Sequence, residues 1–202
     1  MDYAGLTTAA SRGNTPGTVT FDALITNDNG CQNMYGMWGT TSGVVNDHIP
    51  KSAEAHRIRY AGFFGVFIRS SYFINPSGNT LTELGYGAPT TIARVEDGTS
   101  NTAMVSEKRI RTDLIEERPP WDDRGWSDGW DYDTMKNGLC QPLTDDVIAR
   151  PGAIDASSAG SAHSSILNVL NADGSVHSMG FDINLETWNG LINRSDGEVL
   201  AL

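Results

Sequence analysis

One short segment concentrates the side chains best suited to binding chemistry. Residues 121–133 read WDDRGWSDGWDYD and hold three of the chain's five tryptophans. Aromatic rings stack on the apolar faces of sugars, and nearby carboxylates accept hydrogen bonds from sugar hydroxyls. The aromatic residues of this Trp/Asp segment are therefore candidate ligand-binding residues: Trp121, Trp126, Trp130 and Tyr132.

The same segment also offers oxygen ligands for a cation. Asp128, Asp131 and Asp133 can gather around Ca²⁺, which prefers carboxylate and carbonyl oxygens. Their spacing is not that of an EF-hand loop, so Ca²⁺ is a candidate cofactor on ligand chemistry alone. The alternative is structural, with the tryptophans fixing the segment to the body of the domain and the aspartates capping turns.

The histidines give little support for catalysis. The chain has four, none at metal-ligand spacing, and we find no nucleophile elbow, zinc-protease, Walker or dinucleotide-binding motif. A hydrolase would need a nucleophile–base pair such as His163 with Ser161 or Ser164. A histidine bonded to backbone at the start of a strand is the simpler interpretation, so we expect no enzymatic activity.

Composition excludes several partners. The net charge is −11, from 14 basic and 25 acidic residues, which argues against nucleic acid and anionic membranes as partners. No apolar run approaches the roughly 20 residues of a membrane span, so we expect the chain as given not to cross a membrane.

Cys31 and Cys140 can form a disulfide or remain two buried thiols, and their spacing does not decide between these alternatives.

Strands and turns must position these groups. Asp97–Asn101 and Ala172–Ser175 are predicted turns, the second between the strands of a hairpin. Asp182 or Asn184 can cap a short C-terminal helix. The predicted strands lie near residues 65–68, 91–95, 102–107, 166–170 and 175–179, and the helix near 184–193.

These elements predict a fold class. Residues 1–202 are expected to form a single globular domain, and residues 111–160 a loop insertion without regular periodicity that contains the Trp/Asp segment. The predicted architecture is a β-rich α+β domain with an antiparallel sheet, long loops and a short C-terminal helix.

Three motifs together resemble a known bacterial family. The first is VEDGTSNTAMVSE at 95–107; the second is GSAH at 160–163, nine residues, then DGSV at 173–176; the third is ETWNGL at 186–191 followed by DGEV at 196–199. They are similar to the domain-of-unknown-function 1559 family, whose C-terminal signature is His, nine residues, Asp-Gly. The matching positions, for which we expect structural roles, are Asp97, Gly98, Ser100, Asn101, Glu107, His163, Asp173 and Gly174.

The resemblance implies a non-enzymatic protein of the bacterial cell envelope. Members typically begin with a prepilin-type leader and a long hydrophobic helix, like type IV pilins and type II secretion pseudopilins. This sequence lacks that helix, as expected of a fragment that begins after it. The implied fold is a pilin-like head, the implied location periplasmic, extracellular or at the cell surface, and the implied partners other pilin-like subunits that assemble through the missing helix.

A binding module is the alternative class. In that case the Trp/Asp segment captures an extracellular glycan or another solute, with polysaccharide as the partner and Ca²⁺ as the candidate cofactor. Exposure of the three tryptophans as one aromatic patch would favour binding, whereas buried indoles would favour the structural interpretation.

Overall fold

The computed structural model describes residues 3–7, 65–67, 72–75, 80–83, 90–117, 119, 122, 133–147 and 157–197. Strands dominate this part of the chain, and an α-helix, α1, spans Leu185–Ile192. The described strands are β1 (Tyr3–Thr7), β2 (Tyr72–Asn75), β3 (Thr80–Glu83), β4 (Ala103–Glu107), β5 (Met135–Asn137), β6 (Leu143–Thr144), β7 (Gly160–Ser161), β8 (Ile166–Asn171) and β9 (Val176–Gly180).

Five of these strands form the main sheet, in the order β5-β1-β4-β8-β9. The pairs β1–β4, β4–β8 and β8–β9 are antiparallel, whereas β1 and β5 are parallel. The strands β2 and β3 pair in a separate antiparallel hairpin, and β6 and β7 form a short parallel pair. The β-rich α+β class is therefore confirmed, with a mixed sheet in place of the wholly antiparallel one that we expected.

The hairpin β8–β9 agrees with the sequence prediction. Residues of β8 alternate between half-buried and buried, as expected of a strand with one face on the core. At the turn, Gly174 has a φ of +91°, a conformation that glycine adopts without the Cβ clash of other residues. The Asp-Gly pair thus marks the reversal of the chain between the two strands.

Helix α1 closes the core on one face of the main sheet. Asn184 accepts hydrogen bonds from the backbone N–H groups of Glu186 and Thr187, which confirms it as the N-cap. The core contains residues from the helix, from four strands of the main sheet and from the position before β7: Leu6, Ala103, Ala159, Leu167, Val169, Met179, Trp188, Leu191 and Ile192.

Two predicted strands are wrong. Residues 91–95 contain a 3₁₀ helix at Ile92–Arg94, in which the Arg94 N–H donates to the Thr91 carbonyl. Their alternation had no buried face to match, because Ile92 is 81% exposed. Of residues 65–68, the described 65–67 form a bend. A Cβ on Gly65 would lie 2.9 Å from the Leu6 carbonyl oxygen, so the bend fits closely against β1.

The segment predicted as an insertion supplies part of the sheet. Both β5 and β6 lie within residues 111–160, and β5 forms the edge of the main sheet next to β1. Cys140, three residues after β5, is disulfide-bonded, and Cys31 is the chain's only other cysteine. Among the described residues, no helix combines the length and the hydropathy that crossing a membrane requires.

Candidate functional site

The described residues reach the Trp/Asp segment from both ends. Asp122 and Asp133 belong to the described part of the chain, and the residues between them do not. The binding role of the aromatic residues and the Ca²⁺ site therefore stay predictions. The predicted residues outside the described part are Trp121, Trp126, Asp128, Trp130, Asp131 and Tyr132.

One lysine meets both ends of this segment. Lys108 directly follows β4, and its side chain is 1% exposed. Its Nζ atom forms a hydrogen-bonded ion pair with Asp122 Oδ1 and lies 3.7 Å from Asp133 Oδ1. We call Lys108, Asp122 and Asp133 the lysine anchor. Because Asp122 and Asp133 both meet Lys108, the anchor lies at the base of the loop that the sequence predicts for the Trp/Asp segment.

A second buried lysine stands beside the anchor. Lys136 lies in β5, opposite Leu6 of β1, and has no exposed surface. Burial, together with the charge of Lys108, lowers the pKa of Lys136 to about 7, although Asp122 and Asp133 act in the opposite direction. The base of the loop thus holds two amino groups and two carboxyl groups largely screened from water.

An arginine extends this buried charge. Arg109 is 3% exposed, and its guanidinium donates to the carbonyl oxygens of Thr144 and Val147. The neighbouring Ile110 N–H donates to Asp145 Oδ1 over 2.9 Å. Burial raises the pKa of Asp145, while that hydrogen bond lowers it. Through these contacts, the residues that follow β4 are held against the residues at and directly after β6.

The environment of Asp133 bears on the predicted Ca²⁺ site. Its side chain is 2% exposed and faces the Lys108 amino group, which already supplies positive charge to this carboxylate. No cluster of three or more His, Cys, Asp or Glu side chains suited to a metal occurs among the described residues. The Ca²⁺ site predicted at Asp128, Asp131 and Asp133 stays a prediction, because Asp128 and Asp131 lie outside the described residues.

The first family motif is joined to the third through Asp97. This buried carboxylate accepts two hydrogen bonds, each 2.9 Å long, from the backbone N–H groups of Asp196 and Gly197. The Arg194 carbonyl in turn accepts from the Glu96 N–H over 2.7 Å. A carboxylate that takes up two backbone donors fixes the C-terminal turn against the start of the first motif.

The same motif is joined to the hairpin turn. Gly98 has a φ of +95°, and Asn101 Nδ2 donates to the Asp97 carbonyl, so the turn is held by its own side chains. The Ser100 carbonyl accepts from Asn171 Nδ2 over 2.6 Å, and the Asp173 N–H donates to the Thr99 carbonyl over 3.1 Å.

Glu107 and His163 connect the remaining motif residues. One oxygen of Glu107 accepts from the Asn168 N–H at 2.7 Å, and the other lies 3.5 Å from His163 Nε2. Ser161 Oγ accepts from the His163 backbone N–H and donates to the Ile166 carbonyl. The Ser161 hydroxyl is therefore engaged with backbone groups and not with the imidazole.

A further polar chain lies on the hairpin, where sequence reasoning placed only a turn. Asp173 Oδ1 accepts from both the N–H and the hydroxyl of Ser175, which lowers the pKa of Asp173. Ser175 Oγ is 3.0 Å from His177 Nε2. The serine is bonded to the carboxylate itself, whereas a catalytic triad places the histidine between the two.

Lys108 and Lys136 are the site residues that sequence reasoning missed. The sequence holds no signal for either residue. Lys108 lies on the same face of the extended chain as Ser106, but only the structure shows that this face is buried. The burial of Lys136 follows from the pairing of β5 with β1, which is far away in the chain.

The fold and these contacts define a β-rich α+β domain in which polar motif residues join turns and the buried Lys108 meets both Asp122 and Asp133. The family model described as "Protein of unknown function (DUF1559)" matches residues 7–186. The chain belongs to this family, as its three motifs predicted. No curated protein and no solved structure matches the chain.

Proposed function

We propose that this domain is the globular head of a pilin-like or pseudopilin-like protein of the bacterial cell envelope. It acts as a non-enzymatic subunit of a fibre, such as a type IV pilus, or of a type II secretion apparatus. The observation that carries this proposal is family membership over residues 7–186. Subunits assemble through a hydrophobic N-terminal helix in the full-length form.

Two structural features support the proposal. Cys140 is disulfide-bonded, and such bonds persist mainly in oxidising compartments, such as the periplasm and the cell surface. The family motif residues Asp97, Asn101 and Glu107 make hydrogen bonds within the domain, as expected of residues that stabilise a scaffold. The contacts of Ser161 with backbone groups favour a structural role for His163 over a catalytic one.

In-cell cross-linking tests the assembly role. Cells that produce the full-length protein are treated with a short amine-reactive cross-linker and probed with antiserum against this domain. We expect a ladder of multimers, which disappears in a strain whose version lacks the residues preceding the domain. A protein that remains monomeric in cross-linked wild-type cells would contradict the proposal.

A glycan- or solute-binding module is the second candidate, and the lysine anchor is the observation that favours it. Because Lys108 meets both Asp122 and Asp133, the loop between them starts and ends at one fixed point. Anchoring of this kind reduces the entropy lost when a loop orders around a ligand. In this case Trp121, Trp126, Trp130 and Tyr132 contact the ligand, and Asp128 and Asp131 supply Ca²⁺ ligands.

Thermal unfolding separates the two candidates. The domain is melted with millimolar Ca²⁺, with a chelator, and with a panel of soluble polysaccharides. A ligand at about one hundred times its Kd stabilises the folded state by about 2.7 kcal/mol. A rise in Tm that is lost in Trp126→Ala and Trp130→Ala but retained in the control Ile115→Ala would favour binding. Unchanged melting in every condition would leave the structural role.

A further inference from the structure

The lysine anchor places an amine against a carboxyl group in a site nearly closed to water. Lys108 Nζ contacts Asp122 Oδ1, with the two side chains 1% and 24% exposed. A second carboxyl group, from Asp133, is 3.7 Å from the same nitrogen and is 2% exposed. An amine, an acceptor carboxyl and a neighbouring proton carrier are the three groups that amide formation requires.

We propose that Lys108 and Asp122 become joined by an intramolecular isopeptide bond, with Asp133 as the catalytic residue that transfers the protons. This modification does not depend on the envelope role proposed above, because its chemistry uses only groups within this domain.

The reaction balances without any other reactant. Proton transfer within the ion pair gives a neutral amine and a protonated carboxyl group. The nitrogen lone pair of Lys108 attacks Cγ of Asp122 and forms the new C–N bond. Asp133 takes a proton from that nitrogen and returns it to the departing hydroxyl group. The C–O bond breaks, one water molecule leaves, and an amide remains.

The surroundings favour each step. Ion pairs lose more solvation on burial than neutral pairs do, so exclusion of water makes the proton transfer within the pair less costly than in solution. The fold also holds the Lys108 amino group in contact with the Asp122 carboxyl group, which replaces a bimolecular encounter by an intramolecular one.

The position of the bond matches the topology of the site. Lys108 directly follows β4, an interior strand of the main sheet, and Asp122 is the first anchored residue of the Trp/Asp loop. A covalent link would close the chain between residues 108 and 122 and attach the start of the loop to the sheet. Pulling on the loop would then load β4 directly, without separating the anchor.

Intact mass spectrometry of the purified full chain tests the proposal. After denaturation and reduction of the disulfide, we expect a mass below the sequence mass by one water molecule. Proteolytic digestion should yield a branched peptide that contains both Lys108 and Asp122. A folded wild-type chain at its full sequence mass would overturn the proposal, since the anchor would then be an ordinary ion pair.

Three variants distinguish this bond from other losses of water. Lys108→Arg keeps the positive charge but has no suitable amine, so its full sequence mass is expected. Asp122→Asn should still form the bond but lose ammonia in place of water. Asp133→Asn should form the bond more slowly or not at all. The control Asp113→Asn, at the exposed ion pair with Arg111, should keep the loss of water.

A loss of water that persists in Lys108→Arg would also overturn the proposal, because it would come from cyclisation of an aspartate elsewhere. The wild-type mass and the branched peptide require no variant to fold. Circular dichroism of each variant confirms that a restored sequence mass reflects missing chemistry in a folded chain.

Discussion

The motif network around Asp97 and the lysine anchor stabilise the domain by different means. In the network, side chains bond to backbone groups of turns, as when Asp97 accepts from Asp196 and Gly197. In the anchor, an amino group and two carboxyl groups meet away from water, as when Lys108 contacts Asp122 in the ion pair from which the proposed amide would form. The network adds hydrogen bonds to turns that local sequence already favours, whereas the anchor stabilises charges whose burial would otherwise be costly.

The difference has an energetic consequence. A hydrogen bond within a turn contributes about 1 kcal/mol net, since water replaces it when it is broken. Removal of one partner of a buried ion pair leaves an uncompensated charge and costs several times more. Substitutions in the anchor should therefore destabilise the domain more than substitutions in the network.

The largest effect is expected for Lys108→Ala. This change leaves the Asp122 and Asp133 carboxyl groups without Lys108, both as their ion-pair partner and as the amine of the amide proposed above, so we expect unfolding to become about 3–5 kcal/mol easier. Urea unfolding followed by circular dichroism measures the loss. Arg111→Ala serves as the control, because its ion pair with Asp113 is partly exposed and should contribute less than about 1 kcal/mol. Equal losses in the two variants would remove the distinction between anchor and network.

Lys136→Met should change how stability depends on pH. Folding lowers the pKa of Lys136 from its ordinary value of 10.5 to about 7. Between these values the unfolded chain binds one more proton at this residue, so wild-type stability rises with pH by about 1.4 kcal/mol per unit. The variant lacks this contribution.

Urea unfolding at a series of pH values from 7 to 10 gives the difference in stability between the two proteins. We expect the advantage of the methionine variant to shrink steadily as the pH rises. A constant difference over this range would mean that Lys136 is protonated in the folded state and that its burial is compensated by the neighbouring carboxylates.

A moderate effect is expected for Asp97→Ala. The loss of two acceptors leaves the Asp196 and Gly197 N–H groups unpaired, at a cost of about 1–3 kcal/mol. Asp97→Asn retains one acceptor oxygen and should lose less. The unfolding free energies of both variants check this order, and an Asn variant as unstable as the Ala variant would show that the charge matters more than the hydrogen bonds.

The smallest effect is expected for His163→Ala. The imidazole is 53% exposed and lies 3.5 Å from Glu107, so its contact should contribute less than about 1 kcal/mol. Thermal unfolding of the variant and of the wild-type domain gives the upper limit of this contribution. A loss above about 2 kcal/mol would place this signature histidine among the main determinants of the fold.

The contrast between turns that local sequence favours and contacts between distant residues also explains which parts of the fold could be predicted from the sequence. The β8–β9 hairpin, the Asn184 cap and helix α1 follow local rules, namely an Asp-Gly turn, a capping side chain and apolar spacing. The strand β5 has only three residues, one of them a lysine. It is a strand because β1, more than one hundred residues away, pairs with it.

The residues of the candidate site also differ in whether the sequence alone could identify them. The motif residues could be found in the sequence because their order and spacing match a family pattern. Lys108 and Lys136 could not be found in this way, because a lysine in a sequence is expected at the surface and only the tertiary structure shows that it is buried. Residues Thr91–Val95 show the opposite error, in which the sequence predicts an element that does not form. The alternation there has the period of a strand, but Ile92–Arg94 form a 3₁₀ helix without buried residues.

Protease accessibility in the producing bacterium tests the central claim, that this domain works outside the cytoplasm as an envelope subunit, most directly. Protease is added to intact cells, to cells with a permeabilised outer membrane, and to fully lysed cells, and antiserum follows the domain. A cytoplasmic protein serves as the control for leakage. We expect the domain to be digested before the cytoplasm is opened. Protection of the domain until full lysis, together with the control, would contradict it.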